Sequence, residues 1–336
     1  MSIATSVMLS RTALLLLTLL MLTSCARAET APAELFGNVI VHDPTMIKAD
    51  GVSYVFSTGD HRYGQGNIQI RKSADMETWS LVGVVCSKQP DWIAAELGTA
   101  PPNLWAPDIT FFNGRYHLYY AGSTFGSNNS VIGLATSATL DPESPDYEWR
   151  DEGMVVRSRT AFDWNAIDPN VAFDENDTPW LSLGSCWSGI KMQRLDASTG
   201  KLSAEDTELY DLAFRSSGPI EAPAIIRRGD SYYLFVSFDF CCRGLDSSYR
   251  IMVSRAEQIT GPYLDRAGKP MMEGGGTLLL DSRGRYHGPG GQAVVLDDGV
   301  YRLVHHYYDR EEQGAAKLQI QDLSWTADGW PEVGAP

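Results

Sequence analysis

Residues 220–238, IEAPAIIRRGDSYYLFVSF, contain the pattern on which the fold depends. A carboxylate and a proline, Glu221 and Pro223, come before a short apolar strand, and the turn residues Gly229-Asp230 lead into an aromatic-rich strand. Turn dipeptides of this kind supply the positive φ that a tight hairpin needs. The segment therefore predicts an antiparallel hairpin that begins with a carboxylate next to a buried strand.

The same order of features occurs four more times along the chain. The other copies are VHDPTMIKADGVSYVFSTG (41–59), WAPDITFFNGRYHLYYAGS (105–123), IDPNVAFDENDTPWLSLGS (167–185) and HGPGGQAVVLDDGVYRLVHHYYD (287–309). Most copies are followed by a second alternating segment, so each repeat is predicted to form four antiparallel strands.

Five units of four strands, spaced roughly 50–70 residues apart, predict an all-β fold and a five-bladed β-propeller. A β-sandwich is the alternative, but it gives no reason for a fivefold repeat. We expect one domain over residues 30–336, in which residues 36–41 supply a strand that closes the ring against the last blade.

The first 24 residues are typical of a signal peptide. The apolar run TALLLLTLLML (12–22) is too short to span a bilayer as a helix, and it follows Arg11. Next comes LTSC (22–25), which resembles the lipobox of bacterial lipoproteins, in which Cys25 would carry lipid. The alternative is an ordinary signal peptide cleaved near CARA (25–28). We expect a secreted or periplasmic protein, or one anchored to the outer membrane by that lipid alone.

The chain of 336 residues has a formal net charge of -15, which argues against nucleic acid and other polyanionic partners. A neutral ligand fits better. The cysteines other than Cys25 are Cys86, Cys186 and the adjacent pair Cys241-Cys242. No C-x-x-C pair occurs, so a structural zinc site is not expected. Because adjacent cysteines rarely bond to each other, we expect these four to be small buried hydrophobic residues.

Three carboxylates lie near the start of their repeats, where the innermost strands of a propeller converge. They are Asp43, Asp168 and Glu221, whereas Asp108 is out of phase and is expected to be structural. A single Asp-Pro is usually a turn residue. Three converging carboxylates repel one another and lose hydration, which is costly unless the site uses them. An acid and a base with separated pKa values are what glycosidic bond hydrolysis needs.

These residues resemble glycoside hydrolase family 43, and within it the endo-α-1,5-L-arabinanases. The segments that carry the resemblance are HDP (42–44), IDPN (167–170), EAP (221–223), LWAPD (104–108), GSCWSGI (184–190), SFDFCCRGLDSSYRIMVSR (237–255) and TGPY (260–263). The resemblance covers nearly the whole mature chain. It implies a monomeric enzyme that cleaves internal bonds of arabinan.

The resemblance also implies an inverting mechanism with three roles. Asp43 would be the general base that activates water, and Glu221 the general acid that protonates the leaving oxygen. Asp168 would orient Glu221 and raise its pKa. Since water must fit between base and sugar, we expect the carboxyl groups of Asp43 and Glu221 to be about 6.5–9.5 Å apart.

Further residues are candidates for binding. Trp105 is expected to stack on a sugar ring, with core packing as the alternative. The other candidate substrate-binding residues are His42, Phe125, Asn165 and Ser185. Trp187 is expected to be buried, and His305 and His306 receive no role.

At the start of the fifth repeat, the resemblance implies that His287 faces the central channel and contacts a hydrated calcium ion or a similar ion. A hydrogen-bonded core histidine is the alternative. Water would supply most ligands of such an ion, because calcium prefers oxygen.

Three other functions remain open at this stage. An exo-α-L-arabinofuranosidase or a β-xylosidase of the same family would have a pocket closed at one end. A five-bladed fructan-processing enzyme would use a retaining nucleophile, with carboxyl groups about 5–5.5 Å apart. A non-catalytic sugar-binding propeller would not need three carboxylates together.

Overall fold

Tight turns join the first two strands of every repeat. The computed structural model describes residue 1 and residues 32–334. In Asp50-Gly51, Asn113-Gly114 and Asp298-Gly299, both turn residues have positive φ, between 48° and 80°. Asp177 and Gly229 have positive φ in the other two turns. The five hairpins predicted from the turn dipeptides are therefore confirmed.

Four antiparallel strands form each blade. Blade 1 contains β2 (Thr45–Ala49), β3 (Val52–Ser57), β4 (Gln69–Ser73) and β5 (Thr78–Val84), with β1 (Phe36–Gly37) added to its edge. Blade 2 contains β6 (Trp105–Phe112), β7 (Arg115–Gly122), β8 (Ser130–Ser137) and β9 (Arg150–Ser158). Blade 3 contains β10 (Asn170–Phe173), β11 (Pro179–Leu183), β12 (Ile190–Arg194) and β13 (Tyr210–Ala213).

The last two blades repeat this order. Blade 4 contains β14 (Ile220–Arg228), β15 (Ser231–Phe238), β16 (Arg250–Ala256) and β17 (Thr277–Leu280). Blade 5 contains β18 (Tyr286–Asp297), β19 (Val300–Asp309), β20 (Ala315–Trp325) and β21 (Pro331–Val333). Within residues 32–334, one α-helix, α1 (Asp91–Leu97), lies between strands, together with four short 3-10 turns: Gly64–Gly66, Gly244–Asp246, Met271–Glu273 and Arg310–Glu312.

The first strands of the blades form the inner wall of the ring. They contact one another in the cyclic order β2, β6, β10, β14, β18 and back to β2. The all-β, five-bladed propeller is therefore confirmed, and a two-sheet sandwich is not the fold. Since every blade begins at this inner wall, residues at the blade starts come together although they are far apart in sequence.

Five hydrophobic clusters hold the ring together, one between each pair of neighbouring blades. Strand β15 shows how one strand serves two clusters. Leu234 and Val236 pack toward blade 3, whereas Tyr233 and Phe235 pack toward blade 5. Successive side chains of a strand point to opposite faces, so a blade buried on both sides needs an almost continuous apolar strand.

The start of the described chain closes the ring. The N–H of Val41 donates to the carbonyl of Ala316 at 3.1 Å, and the N–H of Leu318 donates to the carbonyl of Val39 at 2.8 Å. Ile40 thereby pairs antiparallel with Lys317 in strand β20. The prediction that this segment closes the ring against the last blade is confirmed for residues 39–41.

The leader and Cys25 lie outside the described residues. Within residues 32–334, no helix is both long and apolar enough to cross a membrane.

A left-handed residue precedes the first proline of every blade. The φ values are 49° at Asp43, 41° at Ala106, 54° at Asp168, 53° at Ala222 and 54° at Gly288. Asp43 and Asp168 occupy this position, but Glu221 lies one residue earlier in its blade. The expectation that all three carboxylates share one repeat position is therefore wrong for Glu221. Positive φ is uncommon for residues other than glycine, and such conformations often occur at functional sites.

Candidate active site

The inner wall opens at one end of the ring into a cavity of about 1040 Å³. All eight residues predicted to act on or bind the substrate line it: His42, Asp43, Trp105, Phe125, Asn165, Asp168, Ser185 and Glu221. Each comes from a blade start or from a loop between strands. His287 does not line this cavity.

Asp43 is held by groups from its own blade and from blade 5. Its Oδ2 lies 2.8 Å from Nδ1 of His42 and accepts a hydrogen bond of 2.7 Å from Oγ1 of Thr58. Its backbone N–H donates to Nδ1 of His306 at 3.1 Å. The ring of His42 stacks on that of His306 with centroids 3.8 Å apart. The orientation of this carboxylate is therefore fixed before any substrate binds.

Charge and hydrogen bonding keep Asp43 ionised. Burial alone would raise its pKa, but the charge and the hydrogen bond of His42, with the hydroxyl of Thr58, lower the pKa to about 2. Burial likewise would lower the pKa of His42, but Asp43 and Tyr308 raise it to about 10. At neutral pH the two form an ion pair, so Asp43 is ready to accept a proton but is a weak base until it is partly released from His42.

Glu221 has hydrogen-bond donors on both carboxylate oxygens. Oγ of Ser185 donates to Oε2 at 2.5 Å, and the hydroxyl of Tyr249 donates to Oε1. Ser185 and Glu221 also form an isolated antiparallel bridge between blades 3 and 4. Burial raises the pKa of Glu221 in spite of these two donors, and the charge of Asp43 adds to that increase. The group is therefore suited to carry a proton at a pH where an exposed glutamate would have lost it.

Asp168 lines the same cavity as Glu221 and interacts with its charge. Burial raises the pKa of Asp168 well above its usual value, and the carboxylates of Glu221 and Asp43 raise it further. A hydrogen bond from the backbone N–H of Ala222, at 3.0 Å, acts in the opposite direction. Because two adjacent buried carboxylates cannot both ionise easily, this pair favours retention of one proton.

Asp108 takes the structural role expected of it, but by joining blades rather than by capping a turn. Its side chain is buried, and it accepts hydrogen bonds from Oγ1 of Thr45 in blade 1 at 3.2 Å and from the N–H of Val171 at the start of blade 3 at 2.8 Å. Burial raises its pKa to about 7. It connects three inner strands beneath the site.

Aromatic side chains from blades 2 and 3 line the cavity. Trp105 and Phe125 meet edge to face with ring centroids 6.5 Å apart, and Phe125 is 77% exposed. Trp187 is 40% exposed and lines the same cavity, so the expectation of a buried tryptophan is wrong. Its backbone has a left-handed φ of 35°, in the loop between β11 and β12, which places it on the surface and not in a blade face.

The two polar candidates are already engaged with protein groups. Asn165 is buried, and its Oδ1 accepts a hydrogen bond of 2.6 Å from Oγ of Ser130. The hydroxyl proton of Ser185 is used on Glu221. Ser185 therefore acts directly on the acid, and binding of sugar hydroxyls by these two residues stays a prediction.

Cys241 and Cys242 form a disulfide with each other, so the expectation of small buried thiols is wrong for this pair. Neither side chain is buried, and both line the cavity. The loop after β15 brings both residues to the cavity. The general rarity of bonds between adjacent cysteines gives no information about the conformation of this loop. Among the described cysteines, Cys86 and Cys186 are free thiols.

His306, and not His287, lies next to the carboxylates. Among residues 32–334, the histidine, cysteine, aspartate and glutamate side chains close enough to share a cation are His42, Asp43 and His306. Both ring nitrogens of His42 have partners, whereas Nε2 of His306 is buried without one. Two register shifts interrupt the pairing of β18 with β19 between His287 and Ala293.

Close approach of the backbone to these rings requires Gly291. A Cβ on Gly291, whose φ is 56°, would lie 2.4 Å from Oδ1 of Asp43 and 2.8 Å from the ring of His306.

Sequence reasoning missed three residues that contact the carboxylates or their partners. They are Thr58, Tyr249 and Tyr308. Tyr249 lies in the segment 237–255 that carried the family resemblance, which was the one available signal. Tyr308 occurs inside the aromatic strand β19 and Thr58 directly follows β3, and nothing in the sequence distinguishes either from a structural residue.

Comparison with known proteins agrees with this geometry. The chain matches the sequence model of the glycosyl hydrolases family 43 over residues 36–331. It is 43% identical to the extracellular endo-α-(1→5)-L-arabinanase 1 of Bacillus subtilis, over 93% of both chains. It is 40% identical to an extracellular exo-α-(1→5)-L-arabinofuranosidase of Cellvibrio japonicus, over 88% of this chain and 86% of that one.

A solved structure gives the same result. The α-L-arabinanase of Cellvibrio cellulosa, complexed with arabinohexaose, superposes with a TM-score of 0.83 and 38% identity, and the alignment covers 88% of this chain and 95% of that one. The family match begins in β1 and ends in β21, so it includes all five blades. The chain belongs to glycosyl hydrolase family 43.

Proposed function

We propose that this protein hydrolyses internal α-1,5-L-arabinofuranosidic bonds of arabinan with inversion at the anomeric carbon. The observation that carries the proposal is the opposite shift of two pKa values in one cavity. The pKa of Asp43 is lowered and that of Glu221 is raised. Two carboxyl groups with separated pKa values are the acid and base that glycoside hydrolysis uses.

Each group has one task in the reaction. Asp43 accepts a proton from the water that attacks the anomeric carbon, and Glu221 gives its proton to the leaving sugar oxygen. The glycosidic C–O bond breaks as the new C–O bond forms, after which solvent returns both carboxyl groups to their starting states. Asp168 orients Glu221 through the N–H of Ala222. Its carboxyl group also disfavours loss of the proton from Glu221, because two adjacent buried carboxyl groups do not both ionise easily. We retain the expected separation of about 6.5–9.5 Å between Asp43 and Glu221.

The size of the cavity supports an oligomeric substrate. Its volume of about 1040 Å³ is at the upper end of the range of about 300–1,000 Å³ for small-molecule sites. Exposed rings at Phe125, Trp187 and Phe240 offer stacking surfaces to sugars away from the bond that is cleaved. The relative from Bacillus subtilis is named an endo-acting arabinanase, which supports internal cleavage.

We also propose a hydrated divalent cation, calcium in the first instance, at His306. The partnerless Nε2 of this buried histidine fits a cation held mostly through water, since a ring nitrogen is a poor ligand for calcium by itself. Oδ1 of Asp43 lies 3.7 Å from Nδ1 of the same ring, and one ligand atom each of His42, Asp43 and His306 lies within 4.8 Å of the others. Such a cation would supply positive charge beside the carboxylates.

We infer that the protein acts outside the cytoplasm, as a monomer. Both curated relatives described above are named extracellular. The bond between Cys241 and Cys242 is of the kind that persists in oxidising compartments. Attachment through lipid on Cys25 remains a proposal, which partition of the expressed protein into detergent would test.

The experiment that tests the activity follows viscosity and reducing ends during digestion of linear arabinan. Internal cleavage lowers viscosity faster than reducing ends appear and yields a ladder of oligosaccharides. The relative from Cellvibrio japonicus is named an exo-acting enzyme, and release of one small product from the start would favour that mode. Absence of products from linear and branched arabinan would contradict the proposed function.

A further inference from the structure

The loop that follows β15 brings the Cys241–Cys242 disulfide to the wall of the catalytic cavity. Asp239 anchors the start of this loop. Its carboxylate pairs with Arg215 at 2.8 Å and with Arg250 at 2.5 Å. Because Asp239 is itself only partly exposed, these ion pairs hold the loop against blade 4.

A continuous chain of hydrogen bonds connects the disulfide to Asp43. The backbone N–H of Cys242 donates to the hydroxyl oxygen of Tyr308 at 2.7 Å. That oxygen lies 2.8 Å from Nε2 of His42, and Nδ1 of His42 lies 2.8 Å from Oδ2 of Asp43. The position of one backbone N–H in the loop therefore affects the orientation of the carboxylate.

The backbone at Cys242 has an unfavourable conformation. Its φ is 65°, in the left-handed region that residues with a Cβ seldom adopt. A bond between adjacent cysteines closes a small ring around the peptide that joins them, and this ring restricts that peptide. Once the ring is open, Cys242 is free to return to a common conformation, and its N–H turns away from Tyr308.

We propose that the Cys241–Cys242 disulfide is a positioning element for hydrolysis, acting through Tyr308 and His42 on the carboxylate of Asp43. The inference depends on the proposed function, because it assigns importance to the orientation of the base. It differs from the view that the two sulfurs only offer an apolar surface to a sugar ring. Loss of such a surface would raise KM, whereas loss of positioning lowers kcat.

The test measures kcat and KM on linear arabinan before and after reduction. Tris(2-carboxyethyl)phosphine breaks the S–S bond and takes the oxygen atom of a water molecule to become the phosphine oxide. The two protons of that water go to the sulfurs, which become thiols. Mass spectrometry follows the gain of two hydrogen atoms. The wild type is compared with Tyr308→Phe, which removes the hydroxyl between Cys242 and His42. Tyr307→Phe is the matched control, since the ring of Tyr307 packs against Tyr286 instead.

We expect reduction to lower kcat of the wild type and of Tyr307→Phe by about tenfold, the scale of a small misplacement of a reacting group, with KM nearly unchanged. The oxidised Tyr308→Phe enzyme should show a similar loss, and reduction should then change its kcat less than twofold, because both changes break the same chain. Three results would overturn the proposal. Reduction could lower kcat of Tyr308→Phe as much as that of the wild type, it could change KM alone, or it could leave the wild type unaffected.

A second measurement does not depend on activity. It uses nitrogen NMR of the histidine rings, in which the His42 signals are assigned as those missing from the spectrum of His42→Gln. Reduction should shift the His42 signals of the wild type and leave those of Tyr308→Phe unchanged. Unchanged His42 signals in the wild type would refute the connection. If arabinan is not cleaved at all, the proposed function fails, and this spectrum still decides whether the disulfide orients His42.

Discussion

Oδ2 of Asp168 accepts a hydrogen bond of 3.0 Å from the backbone N–H of Ala222. The acceptor belongs to the start of blade 3, and the donor directly follows Glu221 in blade 4. One bond between blades therefore sets the position of two carboxylates whose charges repel. Burial raises both pKa values; the charges of Glu221 and Asp43 raise that of Asp168 further, and the charge of Asp43 adds to the increase at Glu221.

Asp168→Asn should shift the alkaline limb of the pH–rate profile to lower pH. The amide keeps an oxygen for the N–H of Ala222 but removes the charge that opposes ionisation of Glu221, so the pKa of the acid falls. Since the protonated form is the active one, activity is then lost at a lower pH. The measurement is kcat against pH on linear arabinan. A limb that stays in place would show that Asp168 does not tune the acid.

Ser185→Ala should shift the same limb in the opposite direction. The hydroxyl of Ser185 stabilises the ionised form of Glu221 and so lowers its pKa. Without it the acid keeps its proton to a higher pH. Ser188→Ala is the matched control, because Ser188 lies in the same loop and its hydroxyl has no hydrogen-bond partner. If both alanine variants shift the limb equally, the effect belongs to the loop and not to the hydrogen bond.

Glu221→Gln should lower kcat on linear arabinan by about 10²–10⁴-fold, the usual contribution of a general acid. On a nitrophenyl glycoside of an arabinose oligosaccharide the loss should be far smaller, since nitrophenolate leaves without a proton. Glu205→Gln, an exposed site, serves as the control, and thermal unfolding reports on folding. Equal losses on both substrates would argue against an acid role for Glu221.

Asp108→Asn should make stability less dependent on pH. With a folded pKa of about 7 and an unfolded value near 3.8, the folded protein binds the extra proton between these limits. The contribution of Asp108 is therefore most favourable below pH 3.8 and is lost as pH rises toward 7, at up to about 1.4 kcal/mol per pH unit.

Urea unfolding at several pH values between 4 and 7 measures this effect. The free energy of unfolding of Asp108→Asn should fall less across the range than that of the wild type. Asp177→Asn, which changes an exposed turn carboxylate, should leave the slope as it is. A slope that is the same in all three proteins would mean that Asp108 stays ionised in the fold.

His306→Ala should abolish stabilisation by calcium, whereas His287→Ala should retain it. A cation that binds only the folded state raises its unfolding temperature, and the increase grows with the logarithm of the cation concentration above Kd. The measurement is the unfolding temperature of chelator-treated protein with and without added calcium, with activity recorded alongside. If only His287→Ala loses the calcium-dependent rise in unfolding temperature, the cation binds at His287, as expected from the sequence. If calcium does not change the unfolding temperature of the wild type, the proposed cation site is wrong.

Repetition along the sequence was enough to determine the propeller. Five turn dipeptides and five apolar strands specify hairpins locally, and the even burial of both blade faces allows no other closed arrangement of the repeats. The three carboxylates of the site followed for the same reason, because blade starts converge once the ring is known. Asp43, Asp168 and Glu221 were found in this way.

Only the tertiary structure decided how these groups are arranged. The low pKa of Asp43 depends on His42 and Thr58, and the donors to Glu221 come from Ser185 and Tyr249. The choice of His306 over His287, and the bond between Cys241 and Cys242, depend on strand bulges and loop geometry. Contacts between blades are set by packing between distant segments, and a pattern read along one strand carries no information about them.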